Sequence, residues 1–155
     1  MRLASALSTI AVVASLALPA VAETAAQAQA RESLIIFNDR FNDLAATHDA
    51  AGLIALYDED AFWIAPATRP AQGRDGVPRQ TITFMSENKG RLSHTVEDLF
   101  ISKDGTQAVM KGVTKASVES QGFQLEGSYI YVLERESAEA PWQIVLDMFS
   151  NYATE

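Results

Sequence analysis

The chain has 155 residues, with 12 basic and 20 acidic side chains, a formal charge of −8, no cysteine and two histidines. A surface of that sign repels phosphate backbones and anionic headgroups, and no Lys/Arg cluster interrupts it, which argues against nucleic acid as a partner. The lack of cysteine removes disulfides, thiolate nucleophiles and Cys-ligated metal sites.

The first residues read as an address. Met1-Arg2 is a short basic start, Leu3 to Leu18 is uncharged and apolar, Pro19 breaks any helix, and Ala20-Val21-Ala22 sets two small residues at signal-peptidase spacing. The pattern predicts a signal peptide over residues 1–22, cleaved before Glu23. Its apolar run of 16 residues falls short of the roughly 20 that a spanning helix needs; the alternative is an uncleaved anchor. Cleavage leaves 11 basic against 20 acidic side chains, a charge of −9. The expected location is periplasmic or secreted, with no membrane attachment after cleavage.

Residues 23–33 are rich in Ala and Gln, and a flexible, frayed start is expected there. From Leu34 the spacing of Leu34, Phe37, Phe41 and Leu44 predicts an amphipathic helix. Asp49 is placed to cap a second short helix carrying Leu53, Ile54, Leu56 and Tyr57, which ends in the turn-like Asp58-Glu59-Asp60. Ala61 to Ala65 reads as a strand stopped by Pro66. Residues 66–76, with two prolines and two glycines, are a loop. Val77-Pro78-Arg79 opens a third helix with proline in its first turn, its apolar side made by Ile82, Phe84 and Met85, and Gly90 closes it. Four strand-like runs follow near 92–101, 107–119, 122–135 and 142–151. Asp104-Gly105 and Gln121-Gly122 suit tight turns, so an antiparallel meander is expected. Three helices followed by a curved antiparallel sheet make one α+β unit with the helices on one face.

This order resembles the SnoaL-like branch of the nuclear transport factor 2-like superfamily over most of residues 32–152. The likeness is carried by the helix-turn-strand of Asp49–Ala61, by Gln72-Gly73-Arg74-Asp75-Gly76 before the third helix, and by the final strand Trp142 to Ser150. It implies a domain over 34–152 in which the bent sheet wraps the helices into a cone-shaped pocket that admits a small, mostly apolar ligand. Steroid isomerases, polyketide cyclases, dehydratases and non-catalytic association domains share that fold. Where the isomerases carry an oxyanion-binding tyrosine this chain has Phe41, and where they carry the general-base aspartate before a proline it has Ala65. Neither position serves that chemistry.

Asp147 interrupts an apolar run from Ile144 to Phe149. Alternation sets Gln143, Val145, Asp147 and Phe149 on one face against Trp142, Ile144, Leu146 and Met148. If the first face lines the cone, Asp147 lies in a low-dielectric pocket with a raised pKa and is a candidate acid, base or acceptor; if that face is wet, it is a surface carboxylate. His94 opens a strand and is a candidate partner for Asp147, or else a hydrogen-bonded structural histidine. His48 is discounted as a residue beside a helix terminus. Tyr57, Trp63, Phe84, Tyr129 and Tyr131 are candidates for an aromatic ligand wall, with Met110 on the small-residue face of Ala108, Gly112, Thr114 and Ala116; the same periodicity also suits a plain core. Two histidines without ligand spacing give no metal site, and no cofactor is implied.

Three functions follow from this reading. The leading one is an exported domain that binds a small apolar or amphipathic molecule in its cone. The second is an isomerase, cyclase or dehydratase using Asp147 as acid/base. The third is a non-catalytic association module, homodimeric through an exposed sheet face carrying Val109, Val113, Ile130 and Val132.

Overall fold

The chain folds around one long helix laid into a bent sheet. The computed structural model describes residues 22–152; the segment 1–22 read as a signal peptide lies, apart from Ala22, outside the described residues. Helix α1 spans Ala25–Ala46, α2 Ala50–Ile54, β1 Tyr57–Ile64, β2 Ala71–Gln72, α3 Val77–Glu87, β3 Arg91–Ile101, β4 Gln107–Val118, β5 Phe123–Glu134 and β6 Gln143–Asn151. The strands form one sheet in the order β2-β1-β6-β5-β4-β3. Three helices on a curved sheet give the expected α+β architecture.

Helix α1 begins at Ala25 rather than at Leu34, so residues 25–33 are helical where a frayed segment was expected. Thr24 and Gln27 form a reciprocal capping box, which satisfies donors that the first turn otherwise leaves free. The turn is also tied to the sheet: Gln27 Nε2 donates to the Ile101 carbonyl at 2.9 Å and Thr24 Oγ1 to that of Lys103 at 3.0 Å. Its small residues are what allow this docking. Gly105, at φ 71°, lies so close that a Cβ there would come within 2.7 Å of the Ala26 carbonyl oxygen. The buried stripe is Ala30, Leu34, Phe37, Phe41 and Ala45. The helix stops where His48 turns left-handed at φ 57°, and Asp49 then caps α2 through Gly52 N–H at 2.8 Å.

Strand β1 starts at Tyr57, so Asp58-Glu59-Asp60 belongs to a strand instead of a turn. Beside it, Gly73 N–H donates to the Ala61 carbonyl and Arg74 N–H to that of Glu59, and β2 pairs with Phe62 and Trp63. Strands β3 to β6 are the antiparallel meander, joined by the Gly105 turn and by a 3-10 turn at Glu119–Gln121 ending in left-handed Gly122. The sheet as a whole is mixed, because β1 runs parallel to β6. Short connections force consecutive strands to be antiparallel, whereas β1 reaches β6 only after the rest of the chain has crossed over, and no local turn dictates that direction.

Two bulges and two glycines bend the sheet around α1. Glu97 is the extra residue between Val96 and Asp98 on β3, and Val145 the extra residue between Ile144 and Leu146 on β6. A Cβ on Gly112 would collide with the Thr95 carbonyl, and one on Gly127 with the Ser150 carbonyl. The Val145 bulge breaks strict alternation: Ile144 and Asp147, three residues apart, are both buried.

Candidate functional site

At its closed end the cone is filled by the core; at the other end it is hollow. A cavity of about 100 Å³ lies between Phe41 and Ala45 of α1, Leu53 of α2, Ile82 and Met85 of α3, and the inward side chains of the sheet. A water needs roughly 10–15 Å³ of such space, so the cavity holds several waters or an organic group of comparable bulk. Its walls are overwhelmingly apolar, with Leu92, Ala116, Leu125 and Phe149 from four strands. The rim carries half-buried His48 and Ser86 and exposed Phe123.

Asp147 lies in this lining, 4% exposed. In the sheet it is flanked by Trp63 on β1 and Tyr131 on β5. The Tyr57 hydroxyl donates to its Oδ2 at 2.7 Å. Among the described residues no protein donor reaches Oδ1. Burial pushes the carboxyl up to about 7, against the opposing pull of the Tyr57 hydrogen bond, so both protonation states are populated near neutral pH.

His94 is buried too, but it does not bond Asp147. Its ring is stacked between Phe41 and Tyr129, with centroids 4.3 and 4.2 Å away. Nδ1 lies 3.2 Å from the Tyr131 hydroxyl. With its proton on Nδ1, His94 donates to Tyr131, while Tyr57 separately donates to Asp147. Burial without a counter-charge holds His94 down at about 3, so it is neutral, and burial followed by the Asp147 charge raises the Tyr57 and Tyr131 hydroxyls. Helix α1 fixes the histidine's backbone. Asn42 accepts from His94 N–H at 2.8 Å and donates to its carbonyl at 2.9 Å, closing an edge that β3 leaves unpaired.

Tyr129 also lines the cavity, and its hydroxyl is buried without a hydrogen-bond partner among the described residues. Burial and the neighbouring Asp147 charge raise its pKa. A buried polar group left unpaired costs roughly 1–3 kcal/mol. In this protein the unpaired group belongs to the lining of a hollow.

Tyr57, Trp63, Tyr129 and Tyr131 are thus brought together around Asp147, and His94 joins them through Tyr131. Phe84 and Met110 are not. On α3 the inward positions are Pro78, Ile82 and Met85, which turns Phe84 outward at 44% exposure. Met110 is fully buried in the core, on the same sheet face as the cavity but beyond Gly112 from Thr114, toward the filled end. His48 lies at the rim because the left-handed turn that ends α1 points the chain there, which its position near a helix terminus did not reveal. Among the described residues no cluster of three or more His, Asp or Glu is placed to hold a metal ion.

A family model for the SnoaL-like domain matches residues 38–137. The chain belongs to the SnoaL-like family. This SnoaL-like domain is similar to a protein of unknown function from Mycobacterium tuberculosis, at 19% identity and TM-score 0.62, covering 80% of this chain and 72% of that one. It is similar at 19% identity and TM-score 0.64 to a putative calcium/calmodulin-dependent protein kinase II association domain from Xanthomonas campestris, covering 81% and 89% of the two chains. A ketosteroid isomerase-like protein from Erwinia carotovora atroseptica is 16% identical with TM-score 0.60, covering 84% and 98%. No curated protein matches the SnoaL-like domain significantly. At these identities the likeness establishes the nuclear transport factor 2-like fold and leaves the activity to the site's own chemistry.

Proposed function

We propose that this protein is an exported SnoaL-like domain that binds a small apolar or amphipathic molecule in its cone. The observation that carries this reading is the cavity lining: apolar walls with an unpartnered Tyr129 hydroxyl and a buried Asp147 carboxyl among them. Apolar hollows with a few convergent polar groups are the general form of small-molecule sites. Export is supported by the leader-like pattern of residues 1–22. Calorimetric titration with 2-phenylethanol, an apolar ring with one hydroxyl, tests the binding. Saturable binding is expected, lost in Ala116→Trp, which fills the cavity; no binding to either protein overturns the reading.

Asp147 favours a second reading, an isomerase, cyclase or dehydratase with this carboxyl as acid/base. A group that titrates near 7 transfers protons efficiently at neutral pH. The outer sheet face supports homodimerisation. Phe100, Val109, Val132, Leu146 and Phe62 stand in register across five neighbouring strands and form one apolar row.

A further inference from the structure

The Asp147 carboxyl is buried without a counter-ion among the described residues. None of the described residues that line the cavity is Lys or Arg, and the hydrogen bond from Tyr57 offsets only part of the desolvation of an ionised carboxylate. Aromatic rings surround it. Trp63 and Tyr131 are its neighbours across the sheet, Tyr57 is bonded to it, and Phe149 meets Trp63 edge-on at 5.5 Å. Rings in such a desolvated setting attract a cation through their quadrupoles. An ammonium carries three donors and no acceptor, and the cavity lining offers oxygens on Asp147, Tyr129 and Thr114. An anionic ligand would add a like charge beside Asp147, and a neutral acceptor would need its protonated form, whereas an ammonium pairs with the ionised one.

We propose that the molecule taken by this cavity is a small organic ammonium whose nitrogen pairs with Asp147 inside the aromatic lining. The proposal rests on the reading of the cavity as a small-molecule site. The ionisable groups facing Asp147 are Tyr57 of β1, Tyr129 and Tyr131 of β5 and His94 of β3, with His48 at the rim. The tyrosines stay protonated and His94 neutral through the physiological range, while the Asp147 carboxyl of the empty cavity titrates near 7. An ammonium therefore binds the ionised form and gains as pH rises, whereas a hydrogen-bond acceptor such as a ketone binds the protonated form and loses.

Calorimetric titration of the mature protein with 2-phenylethylamine and its neutral isostere 2-phenylethanol, at pH 6, 7 and 8, tests this. At pH 8 the amine should bind at least about tenfold more tightly than the alcohol, and its affinity should rise about tenfold from pH 6 to pH 8 as the competent ionised fraction grows. In Asp147→Asn the amine's advantage over the alcohol and its pH dependence should both vanish; the wild-type comparison decides the matter even if that variant fails to fold. If the alcohol matches the amine, or amine binding weakens from pH 6 to pH 8, the ammonium assignment falls and the small-molecule site stands. If neither probe binds, both fall.

Discussion

Substituting Asp147 by Asn or His94 by Gln should separate two proton-linked contributions to stability that cancel in the native chain. Asp147 has a folded pKa of about 7 against an ordinary 3.8, so its contribution is fully present below pH 3.8 and is lost as pH rises through about 7. His94 is the reverse: its folded pKa of about 3 against an ordinary 6.5 means that its contribution is present above pH 6.5 and is lost as pH falls. Between 3.8 and 6.5 the folded chain holds one proton of the pair, on Asp147, and the unfolded chain holds one, on His94, so the two slopes cancel. Each slope alone is about 1.4 kcal/mol per pH unit. Relative to wild type, Asp147→Asn should lose about 3 kcal/mol between pH 6.5 and pH 4, as the His94 slope is exposed. His94→Gln should lose about the same in the other direction, between pH 4 and pH 6.5. Urea denaturation followed by far-ultraviolet circular dichroism across that range measures both differences. Variant profiles that run parallel to wild type would refute the burial argument for these two groups.

Tyr129→Phe removes an unpaired buried hydroxyl and should stabilise the fold by up to about 1 kcal/mol while weakening binding of 2-phenylethylamine; a destabilised variant would mean that the hydroxyl has a partner. The apolar row on the outer sheet face predicts a dimer by light scattering at high micromolar concentration, converted to a monomer by Val132→Arg; a monomeric wild type would contradict it. Export predicts a mature N-terminus at Glu23, read by intact mass from the extracytoplasmic fraction, and a retained Met1 in a soluble cytoplasmic pool would refute it.

What the sequence reveals of this protein follows from how local each signal is. Strands β3 to β6 are legible because their inward side chains alternate, as in Ala108, Met110, Gly112, Thr114 and Ala116, and their turns carry glycine. The parallel pairing of Tyr57–Ile64 with β6 is not, since nothing near either strand reports it. Alternation alone also sets Ile144 and Asp147 on opposite faces, and the Val145 bulge is what brings both inside. Around the site, Asp147 stands out as an acid in an apolar run, and the tyrosines as aromatics at strand period. The Tyr57–Asp147 bond joins residues 90 positions apart, and His94, a candidate partner for Asp147 or else a hydrogen-bonded structural histidine, bonds Tyr131 instead of Asp147. Asn42 of α1 grips the backbone of His94, a role visible only once α1 is docked on β3.

The site is a carboxyl held in an apolar hollow without a counter-ion among the described residues, and carbon-detected NMR of Asp147 measures that directly. Titration of the ligand-free mature protein should give an Asp147 pKa of about 7, displaced downward when 2-phenylethylamine saturates the cavity. A value near the ordinary 3.8, unmoved by the amine, would show a solvated or already paired carboxylate and would contradict the site.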